Sequence, residues 1–202
     1  YFAGGEPMLN KKHWQILEQV PSPENVSLLY STNLSYNSGV GKYWKKFRYV
    51  QLNISIDGIG DFAEQIRPGT DWKKIEENLN TVLKLKETMN ISITVSTTVS
   101  LLNIWYLEDI KKWAEKNNLG WECIGLTDPN FFSLKALPQE LNEKINYVPD
   151  HPHIKQMISQ QAPVELFDRA IAHILFGDKL RKTNLWDYLP FKGWAIKNIL
   201  DY

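Results

Sequence analysis

Cysteine is almost missing from this chain: among 202 residues there is one, Cys123. A single thiol excludes an intramolecular disulfide framework, and it excludes any metal or cluster site built from several cysteines of these residues. It fits a reducing compartment, so the expected location is cytoplasmic. Long apolar runs are missing too. No stretch approaches the ~18 residues of a membrane helix, and the opening residues have neither the charged n-region nor the apolar stretch of a secretion signal. Excess charge of one sign is also absent, since Lys+Arg and Asp+Glu number 23 each. No nucleic-acid or membrane partner is expected from such a balance, and any partner must be recognised locally. Internal repeats and low-complexity segments are lacking.

What is present is ordinary in bulk and unusual in detail. The chain is long enough for one domain with a proper core, and 43% of its residues are hydrophobic. Eight tryptophans and nine tyrosines are many for this length; they build a large core or line a site for a sizeable substrate.

Along the chain, strand and helix patterns alternate. Phe2 and Ala3 read as the tail of a strand. Lys11 to Val20 reads as a helix with Trp14, Leu17 and Val20 on one stripe. "VSLLYSTN" (26–33) has the signature of a buried strand, and "KYWKKF" follows a Gly/Ser/Asn-rich loop as a short helical turn. The clearest strand is "YVQLNISIDG" (49–58), where Val50, Leu52, Ile54 and Ile56 alternate with Gln51, Asn53, Ser55 and Asp57. Asp71 caps a helix from 72 to about 88, with Trp72, Ile75, Leu79, Val82 and Leu83 as its stripe. "ISITVSTTV" (91–99) is a strand. The next helix starts near Asn103, carries Leu107, Ile110 and Ala114, and ends at Gly120. "WECIGLT" (121–127) is a further strand. This order predicts right-handed βαβ units and a parallel sheet, with ligands at the carboxyl ends of the strands.

After Pro129 the rhythm breaks. "FFSLKAL" (131–137) reads as one more strand, "LPQELNEKI" as a short helix and "VPDHPHI" (148–154) as a connector. A longer helix runs from Pro163 to about 181, and the aromatic tail "NLWDYLPFKGWAIKNILDY" is expected to pack back on the body.

Polar residues collect where three strands end. "GGEP" (4–7) follows the first, "STN" (31–33) ends the second and "SIDG" (55–58) ends the third. Gly4 and Gly5, without Cβ atoms, either allow close backbone approach to a ligand or simply make a tight turn. Their N–H and C=O groups suit an ammonium or a carboxylate, Glu6 adds an acceptor and Pro7 stiffens the exit. In a closed barrel Gln51, Asn53, Ser55 and Asp57 would face inward, where four polar groups need partners or a polar ligand. Ser55 and Asp57 lie nearest the rim. Arg67 either pairs with a ligand carboxylate or caps a helix. Other constellations are weaker. His151 and His153 form an H-x-H pair that is either solvated or a metal site. "GIGD" (58–61) lacks the third glycine of a dinucleotide loop, and Cys123 reads as core.

Taken together, "GGEP", "TN" and "SIDG" at successive strand ends, followed by "IRPGTDWKKIEENLNTVLKL" and "ITVSTTVSLLNIWYLEDIKKWAEKN", resemble the radical S-adenosylmethionine (radical SAM) enzyme family over residues 2 to 127. The resemblance implies an α/β fold: a partial (β/α)6 TIM-like barrel over 1–128, with a mainly helical, cysteine-free C-terminal extension over 129–202. It implies S-adenosylmethionine bound across the strand ends, with Gly4, Gly5, Glu6 and Pro7 at the methionine amino group. Ser55 and Asp57 would lie near the ribose and carboxylate, with Arg67 as a carboxylate partner. Thr32 and Asn33 would line the same rim, and Val99, Ile124 and Gly125 would flank the adenine. The extension resembles a "twitch"-type domain, and without cysteines it offers no auxiliary cluster.

In the family, a C-x-x-x-C-x-x-C loop ahead of the "GGEP" strand holds a 4Fe-4S cluster. There, the reduced cluster cleaves S-adenosylmethionine to a 5′-deoxyadenosyl radical that abstracts hydrogen from substrate. No such loop stands among these residues. The expectation is therefore a fragment of a longer enzyme, with no catalytic residue of its own, inactive alone and needing a reductant. Its substrate would be a peptide or a small metabolite. Two other readings remain open: a cluster-less barrel serving as a binding or assembly module, and an unrelated (β/α) barrel that binds a phosphorylated ligand.

Overall fold

A computed structural model describes residues 1–37 and 39–200; Ser38 of the Gly/Ser/Asn-rich loop, and Asp201 and Tyr202 at the end of the aromatic tail, lie outside the described residues. The elements alternate as the patterns predict. They are α1 (Lys11–Gln19), β1 (Ser27–Thr32), α2 (Val40–Trp44), β2 (Tyr49–Ser55), α3 (Gly60–Ile66), α4 (Trp72–Lys86), β3 (Ile91–Val99), α5 (Leu107–Lys116) and β4 (Gly120–Gly125). Four more helices follow: α6 (Gln139–Asn142), α7 (Pro152–Ser159), α8 (Glu165–Arg181) and α9 (Lys192–Ala195). The chain is an α/β protein whose four strands form one sheet in the order β1-β2-β3-β4. The β1–β2 and β2–β3 pairs are parallel, with Ser31 opposite Asn53 and Asn53 opposite Thr94. Phe2 adds a parallel bridge to Tyr30 on the outer side of β1, through Phe2 N–H to Leu29 O at 2.8 Å and Ser31 N–H to Phe2 O at 2.9 Å. The strand tail read at Phe2 and Ala3 is that bridge.

The chain divides into two compact units. The first comprises Tyr1–Ile56, Thr70–Ser96 and Ala114–Glu122; the second comprises Asp57–Gly69, Thr97–Trp113 and the residues from Cys123 onward. Within the first unit the sheet is two-sided. Val50, Leu52, Ile54 and Ile56 of the β2 segment and Ile91, Ile93 and Val95 of β3 are buried. Gln51, Asn53, Ser55, Ser92, Thr94 and Ser96 on the other face are only half-buried. Full burial of one branched side chain is worth about 1.5–3 kcal/mol, so the alternation fixes which face turns inward. Asp71 caps α4, its Oδ1 accepting from Lys74 N–H at 3.0 Å.

The second unit has its own core. Phe62 of α3 and Leu101 meet Phe131, Phe167, Ile171, Ile174, Leu185 and Phe191. The aromatic tail does pack back, with Trp186, Tyr188 and Trp194 against the same cluster. Asp178, in the last turn of α8, fixes the tail's entry: its carboxylate accepts from Leu185 N–H at 2.9 Å, Trp186 N–H at 2.8 Å and Thr183 Oγ1 at 2.5 Å.

Four expectations are corrected. "FFSLKAL" is not a strand but two 3-10 turns, Asn130–Phe132 and Leu134–Ala136. Its buried residues are Phe131, Ser133, Leu134, Ala136 and Leu137, which do not alternate as a strand's would, and Ser133 Oγ accepts from Lys135 N–H at 3.4 Å to start the second turn. A short apolar run cannot announce which period it will adopt. "VPDHPHI" is a connector only as far as His151, because Pro152 opens α7 and Ile154 and Met157 bury one side of it. Gly120 does not end α5; it starts β4, and Asn118 takes the left-handed backbone at φ 54° instead. Cys123 is half-buried on β4 and not a core residue.

One buried polar knot in the first unit controls acid stability. His13 is 4% exposed, packed edge-on against Phe2, Trp14 and Tyr30, with Nε2 2.8 Å from Tyr30 Oη. Trp44 Nε1–H donates to the same phenol at 3.3 Å. Burial lowers His13 from 6.5 to about 4 and pushes the Tyr30 hydroxyl up, the latter opposed by the Trp44 bond. A histidine held below its unfolded value contributes stability that is complete above pH 6.5 and is lost as the pH falls toward 4. The full loss is about 3 kcal/mol. His13→Phe is therefore expected to flatten this part of the stability profile, measured by urea unfolding at neutral pH and near pH 4. An unchanged slope in the variant would remove His13 from the account.

Candidate functional site

Gly4 and Gly5 follow the Phe2 bridge, both in the left-handed region, at φ 88° and 58°. A Cβ at either would meet nothing within 4 Å. Conformation, not crowding, is what requires glycine there. Pro7 is buried and opens a 3-10 turn, Pro7–Leu9, that Glu6 caps: Oε1 accepts from Met8 N–H at 3.2 Å. The other carboxylate oxygen reaches the end of β1. Glu6 Oε2 accepts from Thr32 Oγ1–H at 2.7 Å and from Asn33 N–H at 3.0 Å. Thus "GGEP" and "TN", 26 residues apart by the Glu6–Thr32 bond, are brought together by one half-buried carboxylate.

The loop beyond β1 is held under strain beside this tie. Leu34 is fully buried with φ 57°, a conformation that costs a branched L-residue about 1–2 kcal/mol. It is fixed from both sides. Its N–H donates to Thr32 Oγ1 at 2.9 Å, and its carbonyl accepts from Asn78 Nδ2 at 2.7 Å. Asn78 sits on the apolar side of α4 among Ile75, Leu79 and Val82. Its own backbone carbonyl accepts from Asn37 Nδ2 at 3.1 Å. Strained backbone held by several polar partners is common at ligand sites. Leu34 and Asn78 were missed by sequence reasoning. A leucine gives no sign of positive φ, and the one available signal was an asparagine on an otherwise apolar stripe.

Ser55 ends β2, half-buried opposite Ser96 on the polar face. In the second unit, Asp57 and Arg67 meet directly, with Arg67 Nε 3.1 Å from Asp57 Oδ2. Thr98 N–H donates to Asp57 Oδ1 at 2.9 Å. Burial pushes the Asp57 carboxyl up, against the Arg67 guanidinium and the Thr98 N–H that pull it down. Arg67 thus has a partner within the chain, whereas the sequence offered a ligand carboxylate or a helix end. Asn103 completes the arrangement. Fully buried, it donates from Nδ2 to the carbonyls of Asp57 at 3.1 Å and Thr98 at 3.0 Å, and its Oδ1 accepts from Ser100 N–H at 2.8 Å. Its role is this clamp and not a side-chain cap on the following turn.

The residues read as flanking an adenine differ in setting. Val99 is buried, Ile124 is 57% exposed, and a Cβ at Gly125 would overlap Met157 Sδ of α7. His151 and His153 stand at the start of α7 with ring centroids 6.4 Å apart. Among the described residues no group of three or more His, Cys, Asp or Glu side chains is placed to hold a metal, and no helix is long and apolar enough to cross a membrane.

Neither the scan of protein-family models nor the search of curated proteins returns a match for this chain.

Chemically, the first group offers a turn with exposed backbone groups beside a fixed carboxylate, a setting suited to an ammonium. Thr32→Val tests its internal wiring. The change leaves the Leu34 N–H without its acceptor and Glu6 with one donor fewer, and is expected to cost about 2 kcal/mol in denaturant unfolding. Thr32→Ser should recover most of it. Equal losses in both variants would mean that packing, not the hydroxyl, holds the turn.

Proposed function

We propose that this chain is the cofactor-binding part of a radical S-adenosylmethionine enzyme, folded as a partial (β/α)6 barrel and acting on a peptide or small metabolite. The observation that carries the reading is the "GGEP" turn. Two successive left-handed glycines lead into a glutamate whose carboxylate is tied to the end of the neighbouring strand. That turn stands at the carboxyl end of a parallel sheet, where such sheets bind ligands.

The residues fit the amino-acid end of S-adenosylmethionine. Backbone carbonyls of Gly4 and Gly5 would receive the methionine ammonium, and Glu6 would add negative potential while Thr32 and Asn33 keep it in place. Ser55 would serve the ribose; within the second unit Arg67 pairs with Asp57. The residues do not fit an iron–sulfur cluster: Cys123 is the one cysteine of the sequence, so cluster ligands would come from sequence outside these residues. When bound at such a cluster, the cofactor would supply a radical able to abstract hydrogen from a substrate. This chain's part is to bind and orient.

The single cysteine also favours a second reading, a cluster-less barrel that acts as a binding or assembly module. Equilibrium dialysis with S-adenosylmethionine and with 5′-methylthioadenosine, which lacks the amino-acid end, separates the two. Saturable S-adenosylmethionine binding is expected, about tenfold or more tighter than methylthioadenosine. Gly4→Ala, strained at φ 88°, should bring the two ligands close to parity. Equal binding by the native chain, or none, would overturn the cofactor reading and leave the module.

A further inference from the structure

Within the second unit, a cleft of about 530 Å³ opens beside the ends of α6 and α7. That volume is in the range of sites that take small ligands. Its wall is Gln139, Asn142 and Glu143 from the α6 segment, with Ile158, Ser159 and Gln161 from the end of α7 and just beyond. None of these residues belongs to the strand-end groups described above.

Asn142 is the side chain that needs explaining. Its Nδ2 donates to the carbonyl of Ile158 at 3.2 Å, which fixes how the amide is turned. Oδ1 is then shut away from water, with no hydrogen-bond partner among the described residues. A buried acceptor without a donor is costly and uncommon in folded proteins. Turning the amide over would set its oxygen against the Ile158 carbonyl, so the chain cannot relieve the deficit by that route.

The rest of the wall also has acceptors to spare. Ser159 Oγ–H already donates to Gln156 O at 2.8 Å, and Gln161 Nε2 donates to Gln139 Oε1 at 3.2 Å. The Ser159 oxygen and Gln161 Oε1 keep the capacity to accept. Here α7 ends, and the carbonyls of a helix's last turn carry partial negative charge. Glu143, exposed, brings the one formal charge of the lining residues, and it is negative. Lys144 follows it in sequence but does not line the cleft, and Lys155 of α7 is held by Asp150 at 2.6 Å.

Such a wall is complemented by a positively charged donor that brings no acceptor of its own. An ammonium is that group: its three N–H bonds can meet acceptors on separate side chains. A guanidinium's flat fork suits the paired oxygens of one anion instead, and Glu143 alone offers such a pair. Ile158, the one apolar residue of the wall, gives a methylene stem a surface to lie on.

We propose that this cleft binds an alkylammonium group, the chemistry shared by a lysine side chain and a free polyamine. The site is independent of the cofactor reading and is tested apart from it.

The test uses the whole chain, labelled with 15N, at about 0.15 M salt, where loose attraction between exposed charges is screened. Cadaverine and Nα-acetyl-lysine amide are titrated in turn, then 1,5-pentanediol, which keeps the length of cadaverine without its charge. The amines should shift the backbone signals of Glu143 and Ser159 and the side-chain NH2 pair of Asn142. Pentanediol should bind at least about tenfold more weakly. Tighter binding of the lysine derivative points to a lysine side chain as the guest, and tighter cadaverine to a free polyamine; either supports the site. Glu143→Gln, a change at an exposed position, should weaken both amines about fivefold to tenfold while signals elsewhere stay in place. Pentanediol binding as well as the amines, amine shifts spread over exposed carboxylates instead of this cleft, unaltered affinity in Glu143→Gln, or no shift with any probe would each overturn the proposal.

Discussion

The Glu6 carboxylate is the contact on which the candidate site depends. Two oxygens take three donors: Met8 N–H, Thr32 Oγ1–H and Asn33 N–H. Hydrogen bonds to a charged acceptor are worth about 1.5–3 kcal/mol each, enough to hold a turn that contains two left-handed residues. Thr32 passes the constraint on, because the hydroxyl that donates to Glu6 also accepts from Leu34 N–H. Leu34 in turn is held at a strained φ with the help of Asn78. Loosening the carboxylate would therefore release the glycine turn, the end of β1 and the loop after it together.

Asp57 plays a comparable part within the second unit. Its side chain takes Arg67 and the Thr98 N–H, while its backbone carbonyl takes Asn103. A carboxylate kept in a buried setting is costly unless paired, and here burial outweighs the two stabilising partners in the direction of its shift.

Local pattern made the strands and most helices legible. Val50, Leu52, Ile54 and Ile56 alternate cleanly, and Asp71 marked the start of α4. The strand-end motifs were legible as positions; what joined them was not. Glu6 and Thr32 meet only because the Phe2 segment pairs beside β1, a non-local fact that no spacing within "GGEP" contains. Arg67 was visible as a cation but not as the partner of Asp57. Asn78 was hidden by the apolar stripe around it, and Leu34 by its own side chain, which ordinarily avoids positive φ. "FFSLKAL" failed for a different reason: seven residues with little polar punctuation satisfy either period, and the flanking Pro129 and Pro138 with the Ser133 cap decided for turns.

The most direct test is a crystal structure of the chain grown with S-adenosylmethionine. The methionine ammonium is expected about 3 Å from a backbone carbonyl of Gly4 or Gly5, with the Glu6–Thr32 hydrogen bond intact beside it. A ligand seated elsewhere, or a Glu6 side chain released from Thr32 in the complex, would contradict it.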